Sequence, residues 1–248
     1  MNSNGQLSQN KTEIQSKKDY SYIKNISCKY IMDIIFKNLS WKKSLLIMKY
    51  NKDLQNKLDI TKKDYMEYSD IVLELIPIKN KFKKFINIPE GEDESNFHIY
   101  FNDDKNEIKR TNIFSNDNVK KIKIIIKNPV TSFRGLFEDI DCIESICFKT
   151  FYRTNITNMS RMFFRCTGLK EVNLYRFVTD NVTDMSCMFT GCKFLKRISN
   201  AKFNTQNVKD MSFMFCGCSS LKYIDLNFDI NDNINVVDMF QGCYKLQK

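Results

Sequence analysis

The feature that most constrains this chain is a repeat. The segments NITNMSRMFFRCTGLKEVNLYRF from Asn155, NVTDMSCMFTGCKFLKRISNAKF from Asn181 and NVKDMSFMFCGCSSLKYIDLNF from Asn207 align, the third being one residue shorter before its final Phe. Met162-Phe163, Met188-Phe189, Met214-Phe215 and Met239-Phe240 recur at spacings of 26, 26 and 25, and Cys166, Cys192, Cys218 and Cys243 keep the same spacings. Leu169, Leu195, Leu221 and Leu246 form another column, and Phe151, Phe177, Phe203 and Phe228 a further one. A degenerate copy precedes them, with Leu136-Phe137 in the Met-Phe slot and Ile143, Ile146 and Phe148 as its apolar series. One such unit cannot bury its apolar face alone, so neighbouring copies must stack into a solenoid.

Each copy can be decoded. Met159, Met162, Phe163 and Cys166 fall at i, i+3, i+4 and i+7, the spacing of one face of a short helix. Thr157, Thr183 and the Asn158, Asp184 and Asp210 that follow or match them stand where N-caps belong. Leu169-x-x-Val172-x-Leu174 and Leu221-x-x-Ile224-x-Leu226 then suit a short strand and bend. The expectation is an α+β chain: an N-terminal helical segment and a small antiparallel β-region, followed by a leucine-rich-repeat-like α/β solenoid of four to five coils with a period near 26. Its divisions are a disordered polar arm at 1–26, a helical segment at 27–68, a β-region at 69–128 and the solenoid at 129–248.

The repeat also interprets the cysteines. Four of the nine share one column, where a small, weakly polar residue facing inward packs against its equivalents above and below. The rival reading is a metal ladder, suggested by Cys216-Gly217-Cys218. A run of thiols on coils roughly 5 Å apart does not close a tetrahedral site. Cys187 and Cys216 lie off the column and are the candidates for exposed, oxidisable thiols.

Composition narrows function further. His98 is the only histidine, so any Ser-His-Asp or Cys-His arrangement would have to use it, and no His-rich zinc site can be built. Seven Gly and three Pro leave little material for phosphate-cradling loops. These counts argue against an enzyme, and no cofactor is expected. The formal charge of +10 is uneven: 24 of the 39 Lys+Arg and 17 of the 29 Asp+Glu precede residue 129, where the only arginine is Arg110. Lys, Asn and Ile are over-used and alanine occurs once, at Ala201, the mark of an AT-rich coding sequence. The excess charge reads as a solvated surface, and nucleic-acid recognition, which favours Arg forks, is not expected.

The phrases NVTDMSCMFTGCKFLKRI and NVKDMSFMFCGCSSLKYIDL resemble the BspA-like leucine-rich repeat family, a repeat also catalogued as a domain of unknown function in mycoplasma and other surface proteins. FNTQNVKDMSFMFCGCSSLKYIDL, from Phe203 to Leu226, is nearly a consensus copy. The resemblance covers about residues 130–248 and implies a non-enzymatic protein, with surface proteins and adhesins among its members. The polar N-terminus shows no apolar signal segment, and no stretch approaches the ~20 apolar residues of a spanning helix. A cytoplasmic location is therefore expected from the residues, and a surface location from the resemblance.

In the first half, Ile31, Ile34, Ile35, Leu39, Leu45, Leu46, Met48 and Leu54 give 27–60 amphipathic helical spacing, with Ser40 placed to cap a second helix. Ile-Phe-x-x-Leu followed by a dipeptide-Lys turn resembles an F-box, which would imply a substrate adaptor of a ubiquitin ligase; the alternative is a helical cap on the solenoid. From 71 onward, IVLELIPI, KFKKFINI, NFHIYF, EIKRTNIF and VKKIKIIIK have strand lengths and patterns, and the last of them is expected to lead into the first repeat. His98, between Phe97 and Ile99, reads as a strand-face residue.

The function expected is a non-catalytic protein–protein interaction module whose partner binds the exposed strand face. The residues expected on that face are Glu171, Asn173 and Tyr175, then Lys196, Arg197 and Ser199, then Lys222, Tyr223 and Asp225. The fifth copy stops at Leu246-Gln247-Lys248 without a polar capping unit. This leads to the expectation of a fragment, a truncated reading frame or end-to-end self-association.

Overall fold

The computed structural model describes residues 70–248 apart from 128–129, 175–176, 200–202, 225–229, 231 and 248. The chain divides into two compact units, Met1–Met66 and Glu67–Lys248. The arm expected at 1–26 and the helical, F-box-like segment expected at 27–68 lie outside the described residues.

Seven strands form one mixed sheet: β1 (Ile71–Pro77), β2 (Phe97–Phe101), β3 (Ile122–Ile126), β4 (Ile143–Thr150), β5 (Glu171–Asn173), β6 (Arg197–Ser199) and β7 (Tyr223–Ile224), in the order β2-β3-β1-β4-β5-β6-β7. Alternation sets the inner face of the first part. Ile71 lies opposite Ile126, which lies opposite Phe97; Leu73, Ile124 and Ile99 form the next row, and Leu75, Ile122 and Phe101 the third. All nine are buried, while the residues between them face outward. β3 does not adjoin the repeats. The chain folds back so that β1 pairs antiparallel with β4, the first strand of the repeat region.

From β4 onward the pairing is parallel, and each step along the sheet is one repeat. Ser145, Glu171, Arg197 and Tyr223 occupy one register row, and Ile146, Val172, Ile198 and Ile224 the next. On the far side of the coil a second set of parallel bridges joins Ser132, Asn158, Asp184, Asp210 and Asn235. The two ladders hold five coils in register around a common core.

The expected α/β architecture is corrected here. Among the described residues there is no α-helix, only a 3-10 turn at Glu94–Asn96, and the segment from Met159 to Cys166 is a run of tight turns. Its i, i+3, i+4, i+7 pattern does bury Met159, Met162, Phe163 and Cys166, yet Arg161 and Arg165 take φ of 56° and 54°. A left-handed residue at every fourth place interrupts any right-handed helix. The freed N–H groups run along the stack instead of along the chain. Met159, Arg161, Phe163 and Arg165 donate to the carbonyls of Asp184, Ser186, Met188 and Thr190 at 2.7–2.9 Å. The Asn and Asp expected as helix caps close Asx turns within these runs: Oδ1 of Asn158, Asp184 and Asp210 accepts from the amide of Ser160, Ser186 and Ser212.

Side-chain ladders fill the coil interior, and the exposed Phe240 ends the first of them. Phe137, Phe163, Phe189, Phe215 and Phe240 stack with centroids 4.9–5.5 Å apart and rings within 13° of parallel. Phe151, Phe177 and Phe203 form a second, edge-to-face series at 4.8 and 6.0 Å. Each such pair adds about 0.5–1.5 kcal/mol beyond the area it buries. Close packing is visible at Gly168, where an added Cβ would lie 2.1 Å from the Asp141 carbonyl oxygen.

Candidate interaction face

Parallel pairing at one-repeat spacing gives the outer face of β4–β7 a simple construction. Inward positions repeat the same chemistry in each coil, as Ile146, Val172 and Ile198 do. Outward positions do not: the row Ser145, Glu171, Arg197, Tyr223 changes character at each step. Of the residues expected on the face, Glu171, Lys196, Arg197, Lys222 and Tyr223 are exposed, and Asn173 and Ser199 are half-buried two register rows along. Tyr175 and Asp225 lie outside the described residues.

Two ion pairs cross neighbouring coils on this face. Lys170 Nζ lies 2.6 Å from Glu144 Oε1, and Arg197 Nη2 lies 3.0 Å from Glu171 Oε1. Both are solvent-exposed and fix side-chain positions more than they stabilise the fold. Sequence reasoning missed Phe194, which is 57% exposed on the turn before β6. Its signal was present: Phe194 occupies the place of Gly168 and Ser220 in adjacent copies, outside every apolar column.

The other candidate groups go elsewhere. Cys166, Cys192 and Cys218 are buried, and each thiol donates to the carbonyl of the phenylalanine one coil back: Phe137 at 2.8 Å, Phe163 at 3.0 Å and Phe189 at 3.1 Å. Cys243 repeats the contact with Phe215 at 3.0 Å. Burial pushes the Cys192 thiol well above its ordinary range. Among the described residues no group of three or more His, Cys, Asp or Glu is arranged to hold a metal ion. Cys187 and Cys216 are half-buried, off the core column. His98 Nδ1 lies 2.8 Å from Glu107 Oε1, which also pairs with Lys109 at 2.7 Å. Lys109 first, then His98, hold the Glu107 carboxyl below its usual range.

Arg153 is the anomaly. It is fully buried, and none of its three guanidinium nitrogens has a hydrogen-bond partner among the described residues. Desolvation pushes it down to about 10, against the opposing pull of the Asp70 and Glu92 carboxylates. The equivalent residues in the next two coils, Thr179 and Thr205, are buried at the same level.

The fold therefore defines a stack of parallel coils with a constant interior and a varied outer face. Residues 131–248 match a family described as Mycoplasma protein of unknown function, DUF285, a match that takes in the five coils and leaves β1–β3 outside it. No curated protein and no solved structure matches the chain. No helix among the described residues is long and apolar enough to cross a membrane.

Proposed function

We propose that the coil stack is a non-catalytic protein-interaction module whose partner binds the outer face of β5–β7. The observation that carries this reading is the in-register row Glu171, Arg197, Tyr223, exposed on consecutive parallel strands and different at each step. Two backbone ladders set the positions of these side chains, so they can meet a partner without a large ordering cost. Tyr and Arg are residue types that anchor interfaces. The single histidine is engaged with Glu107, and the column thiols are engaged with backbone carbonyls in the core, which supports binding rather than chemistry as the task of the fold.

The test is affinity capture from lysate of the source cells with the full chain and with Tyr223→Ala and Arg197→Ala. Proteins retained by the parent and lost with both variants are the expected result. An unchanged set of captured proteins contradicts the proposed face.

A further inference from the structure

We propose that the C-terminal half of this face, formed by Lys193, Phe194, Lys196, Arg197, Lys222 and Tyr223, docks an acidic segment of a partner protein; this rests on the interaction reading above and names the partner's chemistry. The face is electrostatically divided. From β4 to the start of β6 the cations of the face have carboxylates among the described residues, Lys170 with Glu144 and Arg197 with Glu171. Beyond Arg197 that compensation stops. Lys193, Lys196 and Lys222 are exposed and form no ion pair among the described residues.

Backbone stacking sharpens the imbalance. The Lys196 amide donates to the Lys170 carbonyl at 2.9 Å, and the Lys222 amide to the Lys196 carbonyl at 3.5 Å, so the three lysines stand in one column. Neighbouring rungs are about 4.8 Å apart. Lys170 is neutralised by Glu144, which leaves two like charges on adjacent rungs, an arrangement that costs free energy in isolation and is relieved by an anionic partner.

Two aromatic residues adjoin the lysines in the chain, Phe194 next to Lys193 and Tyr223 next to Lys222. Phe194 is 57% exposed and Tyr223 61% exposed. They offer the apolar anchors that a purely electrostatic patch lacks, and they favour a segment in which carboxylates alternate with an apolar or aromatic side chain. A nucleic-acid strand fits less well. The uncompensated cations are lysines, without the planar fork that reads phosphate bidentately, and the guanidinium of Arg197 is already engaged by Glu171.

The experiment is fluorescence anisotropy on the full chain with four labelled probes of equal length: a Glu-rich peptide containing one Phe, its Lys-rich counterpart, a Gly-Ser peptide and oligo-dT. The Glu-rich peptide is expected to bind best and to weaken as salt is raised through the physiological range. Binding is expected to weaken by about tenfold or more in Lys196→Glu/Lys222→Glu and by roughly three- to tenfold in Phe194→Ala and in Tyr223→Ala. All four side chains are exposed, so thermal melts matching the parent confirm folding; Lys196→Ala/Lys222→Ala serves as the milder variant. Equal binding by parent and charge-reversed protein, or tighter binding of oligo-dT, overturns the proposal. If the Gly-Ser peptide binds as tightly and is lost in Tyr223→Ala, the acidic class is overturned while the interaction face stands. Unchanged lysate capture by Tyr223→Ala and Arg197→Ala removes the face itself.

Discussion

Glu92 accepts a hydrogen bond from the Thr131 amide at 2.8 Å, and its carboxylate thereby occupies the place of a backbone carbonyl. In later coils the equivalent amides of Thr157, Thr183 and Lys209 donate to the carbonyls of Thr131, Thr157 and Thr183. Among the described residues no coil precedes the first, and Glu92 Oε1 takes the amides of both Thr131 and Ser132. Asn87 serves the carbonyls of the same coil: its amide meets the Leu136 oxygen at 2.8 Å, and its Nδ2 meets Gly135 and Glu138. The segment before the repeats thus closes the ladder by imitating a coil. Glu92→Ala is expected to lower stability by about 1–2 kcal/mol, because amides in the ladder lose their acceptor. Glu92→Gln, which keeps one oxygen, should lose less. Urea unfolding of both variants checks the order, and equal stability of parent and alanine variant contradicts it.

The thiol column predicts a pattern of reactivity. Cys192→Ala removes a buried donor to Phe163 and is expected to cost about 1–2 kcal/mol. In the native protein iodoacetamide should reach Cys187 and Cys216 before Cys166, Cys192 and Cys218, which are buried. Cys142, pushed up to about 11 mainly by burial, should stay a thiol at neutral pH and react slowly. Peptide mass mapping of timed alkylation gives the order.

Arg153 places an unpaired guanidinium in the core. Arg153→Thr supplies the residue type that the next two coils bury at this level, as Thr179 and Thr205. It should raise stability by about 1–3 kcal/mol, because a desolvated charge without hydrogen bonds is removed. A calorimetric melt at lower temperature than the parent's would contradict this.

Acid sensitivity should centre in part on Asp117. Arg110 grips its carboxylate at 2.7 and 2.8 Å, and the Phe114 amide donates to it at 2.7 Å. Arg110, before the Phe114 amide, holds this carboxyl below the ordinary aspartate value of 3.8. A carboxyl with a lowered folded pKa contributes stability that is fully present above its unfolded value and is lost as pH falls through the folded one. Asp117→Asn should therefore be less stable by about 1–3 kcal/mol at neutral pH, and the gap should narrow below about pH 3.8. Melting temperatures from pH 2 to 7 follow that convergence.

Much of the architecture could be read in advance because repeat columns report burial directly. The Met, Phe, Cys and Leu columns mark core positions without reference to local conformation, and Val172 and Ile224 sit on the short strands expected there. Helix was expected between Met159 and Cys166 because i, i+3, i+4, i+7 describes any chain that turns back on itself about every four residues. Positive φ separates the two: Arg161, Cys187 and Phe213 do not advertise it, whereas Gly191 and Gly217, in the place of Arg165, do. In the first part, alternation located β1, β2 and β3. KFKKFINI and EIKRTNIF alternate as well, yet each supplies only isolated bridges, Lys84 to Asn112 and Ile99 to Ile108. The pairing of β1 with β4 joins residues far apart in the chain, from Pro77 with Ile143 to Val72 with Thr150, which periodicity does not encode. On the candidate face, residue positions followed from register, whereas Phe194 was missed because attention to columns passes over a residue that belongs to none.

Hydroxyl-radical footprinting of the full chain, alone and with a captured partner, tests the central claim most directly. Protection of Phe194 and Tyr223, with Phe82 and Phe114 as exposed references on the β-region, is the result expected if the partner lies on the outer face of β5–β7. Protection confined to Phe82 and Phe114, with Phe194 and Tyr223 oxidised as in the free protein, would contradict it.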